Sequence, residues 1–369
     1  EEFVDLYSLI DADDTYTRDA FLPCALKPFE TAKGQLPCLP LNMTFHTAMG
    51  LSSATGGKTV WTMDDFENAL KNLGENRYLI KLDGADNPQM ALLETFLPAV
   101  VNQYVDYEKK TTDFRGDFKR FLALCKNAPV LASDDYPSPN EYSAGNILLR
   151  DIELKTPNQY MRERIAAFGD ENVTLIGAPR SDGASLGSAI ATDLSIAIMR
   201  VCPNQQAAWE FIKSYLDNGI TQVEACRNLP NRIGMLNGFL PTRAALDQML
   251  ELSALPEYQM MLSEDEENVQ IDEMRAVQYP ITEEIDPDGK IMEKIHKQLA
   301  EEGYTIHWFA EADIALFRQI AESSTAVWSR DQAVLAILYE EASAYFAGAR
   351  DLDESIRLME NRVKTRINE

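Results

Sequence analysis

The stretch Val173-Thr174-Leu175-Ile176-Gly177-Ala178-Pro179-Arg180-Ser181-Asp182-Gly183 decides how the chain is read. Its first four residues form a short apolar run rich in β-branched side chains, the signature of a buried strand. Gly177-Ala178-Pro179 closes the strand, and the loop Arg180 to Gly183 follows. Beyond it Leu194, Ile196 and Ile198 alternate as a second strand signal. A helix then begins at Asn204, an N-cap residue preceded by Pro203. Ala208, Phe211, Ile212, Tyr215 and Leu216 follow at helical spacing, which predicts one stripe facing a core.

Outward from this stretch the chain alternates in the same way. Residues 18–31 read as a short helix, followed by a turn at Gly34 and the apolar segment Leu36 to Leu41. Met43 to Met49 reads as a strand and residues 52–59 as a loose loop. Thr62, with Asp64 and Asp65 behind it, caps a helix carrying Phe66, Ala69, Leu70 and Leu73 on one face. Helices are predicted over 87–107 and 113–126, then a turn-rich section over 133–146. Near the C-terminus Val334, Ile337, Leu338, Ala342 and Tyr345 share a face, and Gly348 is a natural stop. Asp351 caps the last helix, whose stripe is Leu352, Ile356, Met359, Val363 and Ile367. Few strands among many helices predict an α/β fold with helical excess.

Composition limits the function. The chain of 369 residues carries 59 acidic and 34 basic residues, a net charge of −25. Such a surface repels phosphate backbones and anionic headgroups, so no nucleic-acid partner is expected. No apolar run of about 18 residues is present to span a membrane. The five cysteines (Cys24, Cys38, Cys125, Cys202 and Cys226) form no C-x-x-C pair. A Cys24–Cys38 disulfide can be drawn, but free thiols are the simpler expectation.

Most candidate chemistry dissolves on inspection. Gly56-Gly57-Lys58-Thr59 ends like a phosphate-binding loop, but Ser52 stands where that pattern needs glycine. The only histidines are His46, His296 and His307, with no nucleophile elbow and no H-E-x-x-H, and they read as surface or half-buried residues. Asp286-Pro287-Asp288-Gly289 has the wrong spacing for a calcium loop. No metal and no cofactor are expected. Asp13-Asp14, Asp64-Asp65 and Asp134-Asp135 are acidic pairs of the kind a glycosidase needs, though adjacency in sequence does not set the ~5–9 Å separation across a sugar. Flat aromatic faces with polar neighbours are what a neutral polyol requires, and Trp308, Trp328, Tyr136 and Tyr142 stand near predicted loops or helix starts. Trp209 lies inside a helix and reads as core.

Several stretches taken together resemble a bacterial extracellular solute-binding protein, family 1, of the carbohydrate-uptake type with a maltose-binding-protein-like fold. They are Lys33-Gly34-Gln35-Leu36-Pro37-Cys38-Leu39-Pro40, Val60-Trp61-Thr62-Met63-Asp64-Asp65-Phe66, and Ile176 to Gly183. Ala207-Ala208-Trp209-Glu210-Phe211-Ile212, Gly238-Phe239-Leu240-Pro241-Thr242-Arg243, and the segment Ile337 to Glu369 complete the set. The resemblance implies two α/β lobes of periplasmic-binding-protein type (class II), with a helix-rich C-terminal part. Lobe one would comprise 1–41 and 178–235, its N-terminal part missing from this chain, and lobe two 42–177 and 236–369. Function would be capture of a small polar solute, a mono- or oligosaccharide, by flytrap closure, with delivery to the transmembrane subunits of an ABC permease. The protein would be a monomer, not an enzyme, on the extracellular side of the cytoplasmic membrane, lipid-anchored through a preceding segment. Trp328, Tyr142, Phe45, Arg180 and Asp182 would hold the ligand. The alternative is a glycan-active hydrolase with a carboxylate pair.

Overall fold

The computed structural model describes residues 2–82, 87–132, 139–169, 171–181, 187–226, 236–254 and 310–369. It also describes the short strands Glu257–Tyr258, Met261–Leu262, Val269–Gln270 and Tyr279–Pro280, and Lys290. The chain divides into two compact units. The first is Glu1–Thr44, Leu154–Ile165 and Thr192–Glu322; the second is Phe45–Glu153, Ala166–Ala191 and Ser323–Glu369. This division differs from the expected 1–41 with 178–235 against 42–177 with 236–369. Residues 178–191 belong with the second unit, and 236–322 with the first.

The second unit is built on a seven-stranded sheet: β1 Thr44–Leu51, β2 Tyr78–Leu82, β3 Val130–Ala132, β4 Ile147–Leu154, β5 Val173–Leu175, β6 Ala189–Ala191 and β7 Ala326–Val327. Its order is β7-β6-β1-β4-β2-β3, with β5 antiparallel on β1. β2 runs parallel to both β3 and β4, and β6 parallel to β7. Parallel strands need helical crossovers that cover both faces, which is why β2 is buried almost end to end. The helices Pro88–Val100, Asp117–Asn127 and Gln332–Phe346 pack together, and Leu352–Asn368 lies along Gln332–Phe346. The core runs from Phe66, Leu79 and Ile80 through Phe96, Phe118 and Phe121 to Val334, Leu338, Met359 and Val363.

Local rules hold at most helix ends. Thr62 Oγ1 accepts from the Asp65 N–H, and the Asp65 carboxylate accepts from the Thr62 N–H, a complete capping box. Asp331, Asn204 and Asp351 cap their helices through side-chain acceptors. Glu341, 3% exposed, accepts from Arg362 at 2.6 Å and from Arg350, which clamps the last two helices together.

In the first unit Trp209 is fully buried among Val4, Leu6, Phe21, Leu39 and Ile198. Its indole N–H donates to Asp13 at 3.0 Å. Lys213 Nζ reaches the same carboxylate at 2.8 Å. Leu39–Pro40 pairs antiparallel with Ser195–Ile196. Buried Asp313 accepts from Tyr160 Oη at 3.0 Å and Arg164 at 2.9 Å.

Several expectations are corrected. The helix over 18–31 is three short pieces, Arg18–Ala20, Pro23–Leu26 and Lys27–Phe29, because Pro23 and Pro28 each restart the backbone. The helix over 87–107 ends at Val100, followed by a 3₁₀ turn at Val101–Gln103. Residues 52–59 include a turn of helix, Ser52–Thr55, stopped by Gly56 at φ 69°. Of the alternating Leu194, Ile196 and Ile198, only Ser195–Ile196 is strand. On Gln205–Ala225 the buried stripe is Trp209, Ile212, Leu216, Gly219 and Val223. Phe211 and Tyr215, expected inside, are 63% and 39% exposed. The five cysteines are thiols rather than disulfides, with Cys24, Cys125 and Cys226 buried. Trp308, Tyr136, Asp134, Asp135, His296, His307 and residues 286–289 lie outside the described residues.

Candidate ligand-binding site

Polar and aromatic side chains of the second unit gather around the segment that leaves helix Pro88–Val100. The 3₁₀ turn there turns Asn102 and Gln103 toward two separate loops. Asn102 Nδ2 donates to the Val327 carbonyl at 3.1 Å, and the Ser329 N–H donates to the Pro98 carbonyl at 2.7 Å. Gln103 Nε2 donates to the Pro179 carbonyl at 3.1 Å, while its Oε1 accepts from both the N–H and the hydroxyl of Ser181 at 2.9 Å. One short segment therefore fixes the loop after β5 and the loop after β7.

The loop after β5 is launched by a close backbone approach. Gly177, at φ 71°, bridges Gly187, and the Ala178 N–H donates to the Gly187 carbonyl at 3.0 Å. A Cβ on Gly177 would stand 2.1 Å from the Gly187 carbonyl carbon, and one on Gly187 2.0 Å from the Ile176 oxygen. Only glycine fits at either position. Arg180, 8% exposed, anchors the loop through its N–H to the Trp61 carbonyl at 2.9 Å. Beside it, burial pushes the Tyr104 phenol up to about 12, and Asp117 adds to the shift against the opposing Ser181 and Arg180.

The loop after β7 carries Trp328. Its N–H donates to the Ile190 carbonyl at 2.8 Å, which continues the β6–β7 register. Its half-buried indole stacks on the His46 imidazole, with centroids 3.8 Å apart and an interplanar angle of 23°. His46 Nε2 lies 3.9 Å from Glu153 Oε1 on the neighbouring strand β4. Tyr107 lies near Ser329 and Asp331 beyond Trp328, and burial, with Asp331 adding to it, pushes its phenol up to about 12.

The structure thus links Trp328 and Arg180 through the 98–103 segment. It does not bring Phe45 or Tyr142 to them as surface groups. Phe45 is 2% exposed, because successive strand residues point to opposite sides and the accessible side of β1 falls to His46. Tyr142 is 1% exposed, packed on Phe168 at 5.2 Å with the Arg150 guanidinium 5.8 Å from its ring. Asp182 lies outside the described residues. Sequence reading passed over His46 as a ligand, and Gln103 and Tyr107 altogether. The usable signal for His46 was the one titratable residue in a strand of threonine, glycine and apolar residues.

The chemistry available is recognition. An aromatic face, an imidazole, carboxylates and amides can hold a polyhydroxylated solute. Among the described residues no group of three or more His, Cys, Asp or Glu could hold a metal ion. The acidic pairs that are described serve the fold: Asp13 binds Trp209 and Lys213, Asp64 pairs with Arg120, and Asp65 closes its capping box and pairs with Lys58 at 2.6 Å. Lys58 of the would-be phosphate loop is occupied in that pair.

The chain thus forms two units that exchange the chain several times, one of them built on a mixed sheet whose strand-end loops carry aromatic and polar groups. The chain shares its fold with solved extracellular solute-binding proteins, and three structures of known fold match it. The sugar-binding protein MalE from Xanthomonas citri matches 100% of this chain and 79% of its own, at 11% identity and a TM-score of 0.53. An extracellular solute-binding protein family 1 from Alicyclobacillus acidocaldarius matches 100% of this chain and 80% of its own, at 11% identity and 0.52. The de novo designed cysteine esterase ECH19 matches 99% of this chain and 79% of its own, at 13% identity and 0.52. No protein-family model matches the chain, and no curated protein does either. No described helix is long and apolar enough to cross a membrane.

Proposed function

We propose that the chain is the solute-capturing subunit of an ABC importer and holds a small neutral polar solute, a mono- or oligosaccharide, without chemical change. The observation that carries this reading is the half-buried Trp328–His46 pair beside Glu153, set on the strand ends of a fold shared with a sugar-binding protein. Stacking on the indole supplies the apolar side of recognition, and neighbouring polar groups supply the hydroxyl contacts. Arg180 holds its loop in place and Asp182 lies just beyond it in sequence, so both remain in the proposed ligand set with Trp328. The solute would pass to transmembrane permease subunits, with the protein acting as a lipid-anchored monomer outside the cytoplasmic membrane. The hydrolase alternative is not favoured, because each described acidic pair already has a structural role.

A thermal-shift screen of mono- and oligosaccharides, followed by calorimetric titration and product analysis, tests the reading. A sugar that raises the melting temperature and is recovered intact is the expected outcome, and Trp328→Ala abolishes the shift while the fold is retained. Release of a shortened saccharide would reverse the assignment.

A further inference from the structure

We propose that Gln103 is a positioning residue for solute binding. Its carboxamide holds the loop after β5 in fixed relation to the loop after β7, so that the loops carrying Arg180 and Trp328 meet the ligand as one preassembled pair. The inference rests on the solute-capture reading and assigns a role within it.

Three groups of the loop after β5 converge on this side chain. The Pro179 carbonyl needs a donor, and Gln103 Nε2 supplies it at 3.1 Å. The Ser181 N–H and hydroxyl both donate to Gln103 Oε1, each at 2.9 Å. A carboxamide carries a donor and an acceptor side by side without charge, so it answers both demands at once. A carboxylate would turn an oxygen toward the Pro179 carbonyl, and an ammonium would have no lone pair for the Ser181 N–H. The same two-sided demand fixes which way the amide is turned. Flipped, it would set oxygen against oxygen and N–H against N–H.

The turn that carries Gln103 is tied as closely to the other loop. Pro98 lies in the last turn of helix Pro88–Val100, where carbonyls run out of intrahelical partners, and its carbonyl accepts from the Ser329 N–H at 2.7 Å. Asn102 Nδ2 donates to the Val327 carbonyl at 3.1 Å. The residues on either side of Trp328 are thereby fixed to one segment. The 3₁₀ turn Val101–Gln103 is rooted by buried Val101, whose carbonyl accepts from the Tyr104 N–H at 2.9 Å. Asn102 and Gln103 are adjacent in it, so a shift of one is felt by the other. The root of the β5 loop is pinned separately, where Gly177 bridges Gly187. A loop anchored before the solute arrives leaves less to be ordered on binding, which raises affinity without any contact from the anchor itself.

The test uses the complete chain and four probes, glucose, maltose, cellobiose and xylobiose, in calorimetric titrations, with amide hydrogen exchange read at Ser181. Gln103→Met keeps the length of the side chain and loses all three hydrogen bonds. Gln103→Glu keeps the acceptor for Ser181 and loses the donor to Pro179. Gln103 is only half-buried, so both variants are expected to keep the melting temperature close to that of the unaltered protein. For a sugar that binds the unaltered protein, the dissociation constant is expected to rise about tenfold in Gln103→Met and by a smaller factor in Gln103→Glu. Exchange at the Ser181 amide should accelerate in the same order. Asn102→Ala releases the Trp328 loop from the same turn, and the double variant should bind more tightly than the product of the two separate losses. Gln103→Met binding within about twofold of the unaltered protein, unchanged exchange at Ser181, or losses that simply multiply would overturn the positioning role and leave solute capture standing. A collapse of the melting temperature in both Gln103 variants would mark the residue as structural and overturn it as well. Unaltered protein that binds none of the four sugars would overturn the capture reading and the positioning role with it.

Discussion

Gly187 marks a place where a single methyl group decides local structure. Its Cβ would meet two backbone oxygens, of Ile176 at 2.0 Å and Ala178 at 2.6 Å, neither at the end of a flexible side chain. Gly187→Ala is expected to cost about 1–3 kcal/mol and to lower the calorimetric melting temperature, in line with overpacked sites elsewhere. Asp13 makes a second residue-scale case. Burial alone would raise its pKa, but bonds from Lys213, the Tyr16 and Thr15 N–H groups and the Trp209 indole outweigh burial and hold the carboxyl well below the usual range. A depressed folded-state value contributes stability that is fully present above the unfolded value of about 3.9 and is lost as the pH falls through the folded value. Urea denaturation at pH 7 and at pH 3 should show Asp13→Ala destabilised more at pH 7 than at pH 3. An equal loss at both pH values would remove the ionic account. At this scale sequence reading placed Phe45 in the ligand set and passed over its neighbour His46, the more exposed of the two. The two differ by one step along a strand, and the step decides which side chain faces outward.

Elements were legible where local chemistry fixes them. The N-cap at Thr62 forms as read, and Asp65, three residues on, completes it as a capping box. Thr62→Ala is expected to destabilise by about 1 kcal/mol in chemical denaturation, the usual worth of an N-cap. Helix Gln205–Ala225 shows the opposite case. Phe211 and Tyr215 share helical spacing with Ile212 and Leu216, so periodicity allowed a stripe rotated from the true one. Which face packs is decided by residues remote in sequence, Val4, Leu6 and Ile198 among them. The reading separates by experiment: Trp209→Ala should cost about 3–5 kcal/mol, as for large buried aromatics, while Phe211→Ser stays within about 0.5 kcal/mol, as for exposed sites. Prolines 23 and 28 were visible, and their effect on the helix over 18–31 was undervalued.

At the scale of the whole molecule, the α/β class followed from strands interleaved with helices, and the order of the motifs pointed to the solute-binding fold. The boundaries did not follow, because pairing such as Ala326 on Ala189 joins positions far apart in the chain and leaves no local trace. Each unit is assembled from three separate segments. Neither unit can lose its structure without releasing ends that the other holds, so scanning calorimetry, near-ultraviolet dichroism and tryptophan emission should report one coincident transition. Two resolved transitions would show that the units melt independently. The same connectivity governs dissection of the gene. Any single cut between residues 45 and 322 leaves each fragment with portions of both units. No restriction of the reading frame at one point can yield either unit alone, and a nicked chain consists of two halves that are each other's missing parts. Co-expressed halves are therefore natural complementation partners, and permuting the chain inside this range redistributes the ends without separating the units.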